Sequence, residues 1–351
     1  MEKIIVILGP TSSGKSEVAI ALAQKFNGEI ISADSRQIYR GMDIGTGKIT
    51  KDNLYPSLPL GEMSRTRDRE GETFYSEGIP HYGIDIVSPK TEYNSAKFKK
   101  YADKIIKDIL ERKKLPIICG GTGFWIKALV DNVVYPEVAP DWKLREKLGR
   151  KSTKELFKTL QKLDPQRAKN IDAKNPVRLI RAIEICKSVG KVPEIKCHPE
   201  LVSGSKKKIE MPNQVRHDNT YDFLQIGIKI PKEKLDERIK LRLQKRFSAG
   251  PPRVDKRSPR VEAGMISEVK KLHLKDKISW KRLESFGLGY KFIPQYLRKE
   301  IATKDELFEK VYQSEKDYAK RQMTWFAKDK RIIWLPKYKD IEKEVRNFLN
   351  N

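Results

Sequence analysis

Residues 3–16 read KIIVILGPTSSGKS, and the fold follows from this stretch. Lys3–Leu8 is an apolar, β-branched run stopped by Gly9-Pro10, the pattern of a buried strand entering a turn. Gly9-Pro10-Thr11-Ser12-Ser13-Gly14-Lys15-Ser16 then fits the phosphate-loop spacing G-x-x-x-x-G-K-S/T, and Ser16–Phe26 continues at helical spacing through Val18, Ala19, Leu22 and Phe26. Each residue type has a physical reason. Glycines let the backbone curl until its N–H groups converge on an anion. Lys15 neutralises that anion, Ser16 can ligate Mg2+, and the helix turns its positive end toward the same point. Strand, loop and helix in this order bind a polyphosphate.

Further along the chain, residues 29–33 (EIISA) read as a second strand ending at Asp34, Tyr93–Lys114 as a long amphipathic helix, and Leu115–Cys119 as a third strand running into Gly120-Gly121-Thr122-Gly123. Strands alternating with helices predict an α/β fold: a P-loop NTPase-like parallel sheet with helices on both faces. From about residue 141 helical spacing takes over, in segments 141–150, 153–163, 175–189, 231–248, 264–274, 281–299, 303–328 and 339–350, many of them rich in Lys and Arg. Phe223–Ile230 reads as a strand that rejoins the sheet and Ile332–Leu335 as another. Residues 197–220 and 249–262 are rich in Pro, Gly, Ser and Lys without periodicity and read as inserted loops. The expected organisation is a catalytic core starting at 1–135, a helical and basic insertion over 136–222, and a returning strand with C-terminal helices over 223–351.

Composition narrows the function. Across 351 residues Lys+Arg exceed Asp+Glu by 73 − 47 = 26, and 9% aromatics are too many for a disordered polycation. A folded chain this basic points to a polyanionic partner, nucleic acid first. The longest apolar run, Ile4–Leu8, falls far short of the roughly 20 residues that span a bilayer. Cys119, Cys186 and Cys197 show no close pairing and only four histidines are present, which argues against disulfides and a Cys/His zinc site. The expectation is a soluble, reduced, cytoplasmic protein that works as a monomer.

A phosphate loop does not say which polyphosphate it holds. An NTPase carries a second apolar strand ending in an acid; here Leu115–Cys119 ends in Gly-Gly-Thr. That favours a transferase, either a kinase or an enzyme for which diphosphate is the leaving group. The discriminating stretch is Ser32-Ala33-Asp34-Ser35-Arg36-Gln37-Ile38-Tyr39-Arg40-Gly41-Met42-Asp43-Ile44-Gly45-Thr46. Together with the phosphate loop, Gly120-Gly121-Thr122, the arginine pair of Asn175–Arg181, the G-x-G-Y of Gly287–Tyr290 and Lys320-Arg321-Gln322-Met323-Thr324-Trp325, it resembles the tRNA dimethylallyltransferases in six co-linear motifs.

The resemblance implies transfer of a dimethylallyl group from dimethylallyl diphosphate to N6 of the adenosine immediately 3′ to the anticodon of tRNA. Gly9, Pro10, Thr11, Ser12, Ser13, Gly14, Lys15 and Ser16 would then hold the diphosphate rather than ATP, with Mg2+ on Ser16. Asp34 would be the general base on N6, with Thr122 close by. Ser35, Arg36 and Gln37 would touch the target nucleotide, and Arg145, Arg178, Arg181, Gly289, Tyr290 and Arg321 the rest of the RNA. The same residues have plainer uses: an Asp at a strand end caps turns, and most exposed Lys and Arg are merely solvated. The target base must leave its stack, so Phe124, Trp125, Tyr290 and Trp325 are candidates to stack on it or to line a prenyl site. The eukaryotic members carry a Cys/His zinc finger that this sequence lacks, which points to the bacterial form. Residues 52–79 are longer than the resemblance leads one to expect. The rival readings are a prenyltransferase acting on free AMP or ADP, a small-molecule kinase, and an RNA-binding protein without catalysis.

Overall fold

The computed structural model describes residues 1–52, 73–136, 138–193, 221–248 and 264–351. The expected loops 197–220 and 249–262, and most of the 52–79 stretch, lie outside the described residues. The contacts divide the chain into two units, Met1–Val130 with Glu210–Asn351, and Asp131–Ile209.

The larger unit begins with β1 (Glu2–Leu8), α1 (Lys15–Lys25), β2 (Gly28–Ala33), β3 (Phe74–Ser76), β4 (Ile79–Tyr82), α2 (Ser95–Glu111), β5 (Leu115–Gly120) and α3 (Gly123–Val130). The smaller unit holds α4 (Trp142–Gly149), α5 (Thr153–Leu163), α6 (Pro165–Lys169) and α7 (Pro176–Val189). The chain then rejoins the first unit with β6 (Tyr221–Ile228), α8 (Lys232–Ser248), α9 (Met265–Leu274), α10 (Trp280–Glu284), α11 (Gly289–Leu297), α12 (Lys304–Phe326), β7 (Ile333–Leu335) and α13 (Tyr338–Asn350).

The sheet runs β3-β4-β2-β5-β1-β6-β7. Every pairing is parallel except the β3–β4 hairpin at one edge. β1 sits between β5 and β6, and helices pack on both faces of the sheet there, which is why the strand is apolar without alternation. The pleat then divides them. Ile4, Val6 and Leu8 join a core with Phe98, Ala102, Ile106 and Ile109 of α2; Ile5 and Ile7 join Ala19, Ile20, Leu22 and Ala23 of α1 and Ile341 and Val345 of α13. At the start of β2 the buried Glu29 accepts from Arg112, Lys114 and the Tyr82 hydroxyl, which pins α2 to the sheet.

The expected helix over 281–299 is two helices. Gly287 (φ 74°) and Leu288 (φ 48°) reverse the backbone hand between α10 and α11, while apolar positions continue across the break. The short α6 escaped the periodicity reading, although Asp164 caps it by accepting from Arg167 N at 2.9 Å and Pro165 opens it. No helix among the described residues is long and apolar enough to cross a membrane.

Candidate active site

β1 delivers the phosphate loop at its C-terminal end. Gly14 takes a left-handed φ of 91° to open α1, and Ser12 also sits at positive φ, 62°. The hydroxyls of Ser12 and Ser13 are buried and have no hydrogen-bond partner among the described residues. Two stranded donors in a loop that opens a helix N-terminus fit an anion with several oxygens. Lys15 Nζ donates to Pro10 O at 3.1 Å, and burial pushes its ammonium pKa below the ordinary value.

Two arginines of α8 close on this loop, and sequence reasoning missed both. Arg238 Nη1 donates to Ser13 O at 3.3 Å, and Arg242 Nη1 to Thr11 Oγ1 at 3.1 Å. Burial likewise pushes Arg242 below the ordinary guanidinium range. The available signal was their i, i+4 spacing on one helix face. Gln322, from the Lys320–Trp325 motif, is buried: Oε1 accepts from Thr11 N at 2.8 Å, and Nε2 donates to Gly121 O at 2.8 Å. It staples the phosphate loop to the Gly-Gly-Thr turn, and a Cβ on Gly121 would lie 2.2 Å from that amide. Arg321 beside it is exposed.

Asp34 leaves the end of β2 and accepts from Arg36 N at 3.0 Å, an Asx turn that fixes its carboxylate. The turn use and the catalytic use of Asp34 are therefore compatible, because the side chain also lines a cavity of about 700 Å³ shared with Thr11, Lys15, Gln37 and Arg242. Thr122 Oγ1 accepts from Ser35 N at 3.0 Å, and Thr122 N donates to Ala33 O at 3.1 Å. Thr122 braces the Asp34–Ser35 turn, and its side chain also hydrogen-bonds Tyr318, which lines the cavity. Arg36 also lines the cavity, its guanidinium 4.3 Å from the centre of the Tyr318 ring. Tyr318 was not singled out in the sequence, and burial raises its phenol pKa.

The aromatic candidates separate. Trp125 is buried and stacked on Phe98 at 4.3 Å, and Tyr290, 1% exposed, donates to Glu268 at 2.6 Å; both belong to the core, so neither can stack on a base. Gly289 is buried as well. Phe124 is exposed and meets the half-buried Trp325 edge-to-face at 6.3 Å.

In the smaller unit the expected RNA-facing arginines also separate. Arg178 is exposed; its backbone N–H donates to Asn175 Oδ1 at 3.2 Å, and its side chain pairs with no carboxylate among the described residues. Arg145 and Arg181 instead pair with the buried Glu184: Arg145 Nε and Nη2 reach its two oxygens at 2.8 and 2.9 Å, Arg181 bonds one of them, and Arg181 Nη2 also donates to Val138 O at 2.9 Å. The i, i+3 spacing of Arg178 and Arg181 does not give them a common role, because a carboxylate one turn on claims the second.

A family model described as IPP transferase matches residues 37–329, and one described as isopentenyl transferase matches residues 2–57. The tRNA dimethylallyltransferase of Acetivibrio thermocellus is 37% identical over 99% of this chain and 96% of its own length. The tRNA dimethylallyltransferase 2 of Treponema denticola is 37% identical over 92% of this chain and 91% of its own. Among solved structures, the full-length tRNA isopentenylpyrophosphate transferase from Bacillus halodurans matches with a TM-score of 0.61 at 30% identity, covering 100% of this chain and 96% of that one. A eukaryotic dimethylallyltransferase, captured in crystallographic snapshots acting on tRNA, matches with a TM-score of 0.66 at 27% identity, covering 96% of this chain and 74% of that one. A family match over most of the chain and relatives above one-third identity along nearly all of it leave one assignment: the chain belongs to the IPP transferase family and is a prenyltransferase.

Proposed function

We propose that the protein transfers the dimethylallyl group of dimethylallyl diphosphate to N6 of the adenosine immediately 3′ to the anticodon of tRNA, acting as a monomer in the cytoplasm. The observation that carries this reading is the juxtaposition in one cavity of a phosphate loop, with the stranded Ser12 hydroxyl and Lys15, and a carboxylate, Asp34, held by its own turn. The anion site suits a diphosphate, and the carboxylate suits an amine that must lose a proton. The N6–C1 bond forms as the allylic C1–O bond breaks; the bonding electron pair leaves with the diphosphate, and the N6 proton goes to Asp34. An exocyclic aromatic amine is a poor nucleophile, so accepting its proton contributes about 10² to 10⁴ in rate. Lys15, Arg238 and Arg242 face the charge that builds on the departing diphosphate.

Among the described residues no group of three or more His, Cys, Asp and Glu side chains converges on a metal-sized site. A Mg2+ bound with the diphosphate would be held on the protein side by the Ser16 hydroxyl, and it would screen the leaving group's charge. Arg178 and Arg321, exposed and paired with no carboxylate among the described residues, support RNA contact better than Arg145 and Arg181, which pair with Glu184.

The test is incubation of an anticodon stem–loop RNA with dimethylallyl diphosphate or with isopentenyl diphosphate, followed by mass spectrometry. One added C5 unit on the RNA, from the dimethylallyl donor alone, is the expected result. Prenylated AMP in a parallel reaction, with the RNA untouched, would replace this reading with the free-nucleotide one.

A further inference from the structure

Gly45, Thr46 and Gly47 form part of the cavity wall, and they are held there from outside. Glu268, in the first turn of α9, is buried and accepts from three successive backbone N–H groups: Asp43 at 2.7 Å, Ile44 at 2.6 Å and Gly45 at 3.0 Å. Its fourth partner is the Tyr290 hydroxyl at 2.6 Å. Consecutive N–H groups converging on one carboxylate make a nest, which fixes the loop's backbone more firmly than any single bond could.

The same loop uses its carbonyls in the opposite direction. Gly45 O accepts from Arg246 Nη1 at 3.0 Å, and Arg246 is itself paired with the buried Glu315. Gly47 O accepts from Arg242 Nη2 at 2.6 Å, while the other amino group of Arg242 reaches Thr11 of the phosphate loop. The two glycines are required by contact: a Cβ at Gly45 would stand 2.5 Å from the Tyr290 hydroxyl oxygen, and one at Gly47, where φ is 61°, would stand 2.1 Å from Arg242 Nη2. A continuous chain of bonds thus runs from Tyr290 through Glu268, the loop and Arg242 to Thr11.

We propose that Glu268 and Tyr290 are positioning residues for the diphosphate site, fixing the Asp43–Gly47 loop so that the Gly47 carbonyl sets the Arg242 guanidinium against the phosphate loop. The proposal rests on the reading of this cavity as the diphosphate site. It gives Tyr290 a role that needs no contact with RNA, and it ties two separate sequence motifs, the Asp43–Thr46 loop and the Gly287–Tyr290 segment, into one device through Glu268 of α9. A purely structural role would lower stability without moving diphosphate affinity; a positioning role moves affinity in a folded protein.

Inorganic diphosphate is the probe, titrated calorimetrically into the full chain, with melting followed in parallel. Glu268→Gln puts an amide N–H where backbone N–H groups point; it should weaken diphosphate binding about tenfold and raise KM for the prenyl donor alike, with turnover at saturating donor within about threefold of wild type. Tyr290→Phe removes one of four bonds and should give about a threefold loss in the same direction. Gly47→Ala pushes on Arg242 from the other side, and combined with Glu268→Gln it should lose less than the product of the two single losses, because both act through one guanidinium. Glu268→Gln and Tyr290→Phe that melt normally and bind diphosphate within twofold of wild type would overturn the proposal. If Glu268→Gln fails to fold, Tyr290→Phe decides by the same criterion. Wild-type protein that does not bind diphosphate at all would instead remove the reading of the site, and the proposal with it.

Discussion

At the phosphate loop the hydroxyls of Ser12 and Ser13 are buried without partners among the described residues, and Lys15 and Arg242 lean on loop oxygens beside an open cavity. In the smaller unit Glu184 is just as buried, yet it accepts from Arg145, Arg181 and the N–H of Asp141, so its surroundings are complete. Both regions are rich in cations that the sequence brought forward. The Glu184 carboxylate has its donors, whereas the phosphate loop leaves the Ser12 and Ser13 hydroxyls short of partners among the described residues, and unmet hydrogen-bonding capacity beside a cavity is what a ligand can satisfy. Charge count therefore locates neither site; the balance of donors against acceptors does.

The sharpest break of this contrast is at Asp34. Asp34→Asn keeps the Asx turn to Arg36 N but loses the base, so turnover on anticodon stem–loop RNA should fall about 10² to 10⁴-fold with inorganic diphosphate affinity preserved. A variant keeping a tenth of wild-type turnover would end the general-base assignment. In the smaller unit the mirror experiment is Glu184→Ala. Burial raises the carboxyl pKa, but the hydrogen bonds of Arg145 and Arg181 overcome it and hold the group below the usual range. Removing it strands two guanidinium groups and should cost about 3 kcal/mol in denaturant unfolding, with diphosphate binding untouched. Altered diphosphate affinity would mean that the two regions are not independent.

His81 extends the contrast to a neutral group. It lies on β4, lines the cavity and is 3% exposed; burial pushes its pKa down to about 4, against an ordinary 6.5, while Nδ1 contacts Ile79 O at 2.9 Å. The unfolded chain therefore takes up a proton at this residue well before the folded chain does. Stability tied to neutral His81 is present above about pH 6.5 and is lost as pH falls toward 4, by about 3 kcal/mol. Unfolding free energies of wild type and His81→Asn at pH 7 and pH 4 check this: the pH-dependent loss should be smaller in the variant by that amount, and equal losses would refute it. The smallest effect separates Arg178 from Arg181. Arg178→Ala should reduce the slope of log K against log salt for RNA binding by about one, whereas Arg181→Ala should leave the slope and lower stability instead. Equal slope changes would return Arg181 to the RNA-facing set.

Much of this was legible in the chain itself. The phosphate loop, Asp34 at a strand end and the strand Phe223–Ile230 returning to the sheet all rest on local pattern: glycine spacing, a β-branched run, a stop. What escaped was pairing over long separation. Nothing near Gln322 in sequence announces Thr11 and Gly121 as its partners, and nothing near Glu268 announces residues 43–45. Tyr290 and Trp125 read as candidate stacking rings because an aromatic carries the same signal whether it meets a base or the core. The one helix that became two failed for a different reason: apolar spacing survives a left-handed Gly287-Leu288 break that only dihedral angles reveal.

The place of β6 in the sheet has a consequence for how the protein comes into being. β1 is paired along its whole length with β6, from Glu2 with Tyr221 to Leu8 with Gly227. Until residue 221 and beyond leave the ribosome, β1 has one open edge, and the α8 arginines that complete the phosphate loop do not yet exist. Joining these ends closes a loop of roughly 200 residues, at an entropic cost of about 5 kcal/mol that no early local contact offsets. Folding should accordingly be slow for a chain so rich in helix, with a late step that zips β6 onto β1. Nascent or truncated chains ending before that strand carry an unpaired apolar edge and are the forms that chaperones would be called on to shield.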